Sequence, residues 1–164
     1  MKISTIVSIL ALAAAAPVLA APAPDVARVQ VVIGPELASK TQTLDAREFD
    51  YLTRELKRTV EKRLDRSGAL VPDGGELYLV IEDATPNRPT MRQMSGRPGL
   101  SYSSFGVGGA RISGEYRAPS GATTPVSYSW YETDIRRTPY YGTWTDADRA
   151  FERLADKLAK GDPK

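Results

Sequence analysis

The side chains able to do chemistry in this sequence are carboxylates, arginines and phenols, because the usual acid–base and nucleophilic residues are missing. Neither histidine nor cysteine occurs among the 164 residues. That removes the common proton shuttle near neutral pH, the Ser-His-Asp arrangement, thiol nucleophiles, disulfides and zinc sites built on imidazole or thiolate. Beyond Lys2 the lysines are Lys40, Lys57, Lys62, Lys157, Lys160 and Lys164, and none stands in a Ser-x-x-Lys pattern. Two carboxylate pairs remain: Glu82 with Asp83, and Glu132 with Asp134. Converging at strand ends, such pairs suit acid–base hydrolysis of a glycoside or weak calcium binding through oxygen ligands. They are equally the ordinary solvated punctuation of strands. No residue is singled out as catalytic or metal-ligating, and no cofactor is implied. Phe105-Gly-Val-Gly-Gly-Ala110 has the glycines of a phosphate loop but no helix after it to hold an anion, so close backbone packing is the expectation there.

The stronger signal is basic and aromatic. Between Ala84 and Gly106 stand Arg88, Arg92 and Arg97 with no acidic residue, and Tyr102 and Phe105 sit beside them. Arg136, Arg137, Tyr140, Tyr141 and Trp144 repeat the mixture later. Arginine forks match phosphate and carboxylate groups, and aromatic rings stack on sugars and cations. If the two loops meet, they form a cationic aromatic surface, with Arg88, Arg92, Arg97, Tyr102, Phe105, Arg136, Arg137, Tyr140 and Tyr141 as candidate ligand-binding residues. The alternative is a solvated loop whose rings cover the edge of a core.

The elements that must carry these loops are legible from periodicity. Val29, Val31 and Ile33 alternate with Arg28, Gln30 and Val32, the pattern of a strand ended by Gly34-Pro35. Asp45 and Glu48 have capping-box spacing ahead of Phe49, Leu52, Leu56, Val60 and Leu64, which share one helical face, and Gly68 is placed to cap the C-terminus. Leu77 to Ile81 is a short apolar run and reads as a strand covered on both faces. Residues 84–106 show no periodicity and read as one long loop. Ala110, Ile112, Gly114 and Tyr116, then Val126, Tyr128 and Trp130, give two alternating strands around Pro119-Ser120-Gly121, with Tyr128 and Trp130 facing the core. A last helix is expected from near Thr145, with Asp148 at capping-box distance, Ala147, Phe151, Leu154 and Leu158 as its buried stripe, and Gly161 beyond it.

The order β-α-β-β-β-α predicts an α+β two-layer sandwich. A strand–helix–strand opening favours parallel pairing, the hairpin adds antiparallel strands, and two one-sided helices pack on one face of a four-stranded mixed sheet. The expected organisation is a leader at 1–20, an extended tail at 21–27, and a single domain at 28–161 that includes the loop 84–106. The leader rests on Lys2, the apolar run Ile3 to Leu12, and the small residues ending at Ala20. It predicts export and a soluble, periplasmic protein that does not span the membrane after cleavage. With no cysteine, no lipid can be attached at a leader junction. The formal net charge of +2 is too small to steer the chain to nucleic acid.

The leader, the element order, the hairpin from Gly106 to Tyr131 and the segment Trp144-Thr-Asp-Ala-Asp-Arg-Ala-Phe151 resemble a family of small periplasmic proteins of proteobacteria that carries a domain of unknown function. The element order is also similar to that of the outer-membrane lipoprotein that helps assemble lipopolysaccharide. The resemblance is topological and implies the two-layer fold and an envelope location; it assigns no functional residue. The function these readings favour is a non-catalytic periplasmic binding or interaction protein that contacts anionic envelope components, either lipid or polysaccharide, or an envelope protein, through its arginine–aromatic loops. The alternatives are a carboxylate-dependent hydrolase and a structural envelope subunit that pairs through a sheet edge.

Overall fold

The computed structural model describes residues 24–162. The expected leader at 1–20 and the start of the expected tail lie outside the described residues. Strand β1 covers Val26–Ile33, so it takes up the end of that tail. It is followed by a one-turn helix α1 (Pro35–Ala38), the long helix α2 (Ala46–Ser67), strand β2 (Gly75–Thr85), a short helix α3 (Met91–Gly96), the hairpin strands β3 (Gly109–Arg117) and β4 (Thr123–Tyr131), a 3₁₀ turn at Ile135–Arg137, and helix α4 (Thr145–Leu158). The sheet order is β1-β2-β3-β4. β1 and β2 are parallel, and the other neighbours are antiparallel. This is the expected α+β sandwich, with α2 and α4 packed on one face.

Helix α2 forms for the reasons its sequence shows. Leu52, Leu56, Val60 and Leu64 repeat every fourth residue and are fully buried. Burying each such side chain contributes about 1.5–3 kcal/mol. Asp45 starts the helix by accepting the backbone N–H of Arg47 at 2.9 Å. Gly68 stops it in the left-handed conformation at φ 76°, where a side chain would be strained. The capping box is only half made, because Glu48 accepts the indole N–H of Trp144 at 2.6 Å. In α4 the box expected between Thr145 and Asp148 does not form at all. Trp144 occupies the N-cap position, and the Thr145 hydroxyl accepts from the Gly142 amide at 2.9 Å.

The two helices run parallel. Going along both in order, Glu48 meets Trp144, Tyr51 meets Asp148 at 2.9 Å, and Arg63 meets Asp156 at 2.8 Å. Beneath them Phe151, Leu154 and Leu158 pack with Leu77, Leu79, Ile81 and Ile112 into one core, which Tyr128 and Trp130 flank as partly buried side chains. Among the described residues, the opposite face of the sheet carries no long helix.

Asp148 went to Tyr51 rather than to a cap, and this has a measurable result. Its Oδ1 is buried without a hydrogen-bond partner among the described residues. Burial pushes its carboxyl up to about 6; the Tyr51 hydrogen bond pulls the other way, and Glu55 and Glu152 add to the rise. In the unfolded chain an aspartate titrates near about 3.9. The folded state therefore holds this proton more tightly, and the ionised group opposes folding. Its penalty is absent below about pH 4, grows through the interval between the two values, and is complete above about pH 6. Asp148→Asn is expected to stabilise the protein by about 1–2 kcal/mol at pH 7.5, allowing for solvent screening. The gain should vanish by about pH 4. Urea melts of both proteins across that range measure the difference.

Candidate functional site

The carboxylate pairs are positioned by the sheet and used by it. A β-bulge at the end of β2 sets Glu82 and Asp83 against the single residue Arg111. Both side chains then reach over the face opposite α2 and α4. Glu82 accepts the Ser113 hydroxyl at 2.5 Å, and Asp83 accepts Tyr131 at 2.7 Å and the Lys40 ammonium. Burial alone would raise Asp83, but the hydrogen bonds from Lys40 and Tyr131 prevail and hold its carboxyl below the ordinary range. Tyr131 is correspondingly raised, by burial and by that carboxylate. Glu132 accepts the amides of Asp134 at 3.0 Å and Thr133 at 2.9 Å, and the Asp134 amide is the main reason its carboxyl is lowered. Asp134 is lowered mainly by the Arg136 guanidinium. Asp83, Glu132 and Asp134 are thus held ionised, the opposite of what a general acid needs. Among the described residues, no group of three or more acidic side chains is arranged to hold a metal ion. All four carboxylates are engaged locally, Glu82 by a hydroxyl, Asp83 by Lys40 and Tyr131, and Glu132 and Asp134 by backbone amides and arginines.

The two arginine–aromatic loops do meet, and Arg88 is the reason. Its Nε donates to the Tyr141 carbonyl, Nη1 to that of Tyr102 and Nη2 to that of Pro139, each at 2.5 Å. One planar fork thereby clamps segments more than a dozen residues distant on one side and some fifty on the other. Behind it lies a buried lock. Asn87 and Asp146 are almost inaccessible. The Asn87 amide group donates to Asp146 Oδ2 at 2.5 Å, while the Asp146 backbone N–H donates to Asn87 Oδ1 at 2.8 Å. Asp146 Oδ2 also accepts the Gly108 amide at 3.0 Å. The Asn87 backbone bonds Thr143 and Gly106. The region expected to be one long loop is therefore an ordered structure. β2 runs on to Thr85, and Thr90 with Gln93 forms a capping box that starts α3.

These anchors sort the candidate residues. Arg88 spends one donor from each of its three nitrogens on backbone carbonyls and acts as the clamp. Arg136 forks onto Asp134 at 2.8 and 2.9 Å, and Arg137 lies 3.7 Å from Glu132, so both are locally neutralised. Tyr141 lies flat under Arg149, 4.2 Å from its guanidinium carbon, and its hydroxyl accepts from the same side chain. Trp144 is buried and leaves the aromatic surface altogether. What remains displayed is Arg92, Arg97, Tyr102, Phe105 and Tyr140, the last of these 97% exposed. Arg92 and Arg97 make no ion pair among the described residues. Arg97 and Phe105 line an open cleft of about 260 Å³ with Gln93 and Leu100. Among the described residues, the exposed large apolar or aromatic side chains on the sheet are Val32 and Tyr78; Met91, Tyr102, Phe105, Val107, Ile135 and Tyr140 belong to these two connected segments.

Sequence reasoning missed Asn87, Asp146 and Arg149. Asp146 in the first turn of a helix reads as an ordinary dipole-matching acid. Its partner lies 59 residues away, beyond the reach of any local pattern.

No protein-family model matches the chain, and none of the curated proteins compared with it matches. Among solved structures, the rare lipoprotein B from Shewanella oneidensis is similar over 80% of this chain and 89% of that chain, with 9% sequence identity and a TM-score of 0.37.

Proposed function

We propose that this chain is a non-catalytic binding protein of the periplasm, which contacts anionic envelope components through the surface built by residues 86–107 and 132–143. The observation that carries this reading is the concentration of exposed apolar and aromatic side chains on two loops that are clamped together, with two unneutralised arginines, Arg92 and Arg97, among them. Exposed apolar patches of this kind mark interaction sites. An order imposed by Arg88 and Asn87 lowers the entropic cost of presenting them. The leader-like start of the sequence supports export, and the ionised state of Asp83, Glu132 and Asp134 speaks against a hydrolase built on them.

Binding to phosphatidylcholine vesicles with and without phosphatidylglycerol, and to lipopolysaccharide, tests this. Each arginine near an anionic surface contributes about 1 kcal/mol. The double substitution Arg92→Ala, Arg97→Ala is therefore expected to weaken binding roughly 30-fold at low salt and to flatten its salt dependence, with the melting temperature unchanged. Binding that neither salt nor the double substitution affects would remove the electrostatic basis of the reading.

A further inference from the structure

The two edges of the sheet are not treated alike. At β1, the outer edge is covered where it begins: the Val26 amide donates to Ala69 at 2.7 Å and its carbonyl accepts from Val71 at 2.9 Å. Arg28 then places an exposed charge along it. β4 lacks both cover and charge: among the described residues its one sheet neighbour is β3, and Thr123–Tyr131 contains no charged residue and no bulge, leaving Pro125 as its single edge device. Natural edges are normally blunted by charge, proline or a bulge.

The register shows which backbone groups face outward. Ala118 bonds Ala122 at one end of the hairpin, and the Glu132 amide bonds Gly108 at the other. Pairing between these ends is unbroken. Residues in antiparallel pairs alternate between bonded and non-bonded, so the even-numbered residues of β4 bond β3 and the odd-numbered ones point away. Pro125, which has no N–H to offer, stands at an outward position, as proline must in an edge strand. Beyond it, Ser127, Ser129 and Tyr131 present both N–H and C=O to nothing within the described chain.

We infer that β4 pairs antiparallel with β4 of a second copy of this chain across a two-fold axis at Ser129. In the run Ser127-Tyr128-Ser129-Trp130-Tyr131 the two neighbours of Ser129 are both aromatic and no residue is charged. In this register Ser127 faces Tyr131 of the second copy and Ser129 faces Ser129, as mutually bonded pairs. Tyr128 faces Trp130 of the second copy in the closer, non-bonded pairs, on the helix side of the sheet. Aromatic cross-strand pairs there contribute favourably, and no like charges oppose each other within the strand. Trp130 is held on that side by Arg153, whose guanidinium carbon lies 4.3 Å from the ring. Neutrality and the Tyr128–Trp130 match favour a copy of the same strand over a charged partner. Pro125 ends the ladder, so the contact is short and the dimer weak.

Sedimentation of the protein over a wide concentration range tests this. The wild type is expected to show a reversible monomer–dimer equilibrium. Ser129→Pro removes an outward donor that β3 does not use, and Ser127→Lys with Ser129→Lys sets like charges across the axis; each is expected to weaken dimerisation at least tenfold with an unchanged circular dichroism spectrum. Because the chain has no cysteine, Ser129→Cys supplies a single thiol. Bonded antiparallel residues have Cα atoms about 5.5 Å apart, within disulfide reach. That variant should cross-link on oxidation far faster than the loop control Ser103→Cys. A monomer at every concentration, a dimer that survives both edge variants, or cross-linking no faster than the control overturns the inference.

Discussion

Asp146→Ala is expected to lower folding stability by about 3 kcal/mol and the melting temperature by roughly 10 °C. The carboxylate is fully inaccessible and accepts from the Asn87 amide group, the Gly108 backbone and, at 3.5 Å, Arg149. Removing it leaves the Gly108 N–H and one Asn87 donor buried without acceptors, and an unmade hydrogen bond costs more in that setting than a made one contributes. Asp146→Asn keeps acceptor oxygen at the same place and is expected to lose about half as much. Asn87→Ala breaks the other half of the same reciprocal pair, so the double variant should cost far less than the two single losses added together. Urea unfolding of the four proteins gives the cycle. A loss below about 1 kcal/mol for Asp146→Ala, or simple additivity, would mean that the two loops are held by something other than this lock.

The fold was readable where chemistry is local. The apolar stripe of α2, the alternation in β1, β3 and β4, and the glycine at 68 each state their structure within a few residues. Helix α3 was not readable because it buries no side chain and so has no periodic stripe; its only signal is the Thr90–Gln93 capping box. The capping residue Asp148 was misjudged for a related reason. Spacing alone offers it to its own helix, but α2 brings the Tyr51 hydroxyl to it from 97 residues away. The candidate surface divides the same way. Arginines and rings are visible as composition, yet composition cannot tell a displayed guanidinium from a spent one. Arg92 and Arg97 differ from Arg88 only in what the folded backbone offers nearby: for Arg88, three carbonyls converging from two segments. The bulge that turns Glu82 and Asp83 to one face is equally a property of paired strands, not of either strand's sequence.

Arg88 allows the clamp and the contact surface to be separated by experiment. Arg88→Ala leaves the carbonyls of Tyr102, Pro139 and Tyr141 without their shared donor, and is expected to cost about 2 kcal/mol, since charged hydrogen bonds contribute about 1.5–3 kcal/mol each when buried and these are only half-buried. Arg88→Lys should recover little of it, because a point ammonium cannot bridge three acceptors that a planar fork fits. The loss should be regional: amide exchange is expected to quicken in residues 97–106 and 133–143 and to stay unchanged in α2 and β2, whose bonds do not depend on the clamp. Binding to anionic vesicles should fall as well, by more than the loss of one charge, because Tyr102 and Tyr140 would lose their fixed relation. Arg92→Ala with Arg97→Ala should show the reverse pattern, weak binding with exchange unchanged. If Arg88→Ala binds as the wild type does while its loops exchange freely, the surface works without being ordered, and the two arginines act as independent charges rather than as part of one built site.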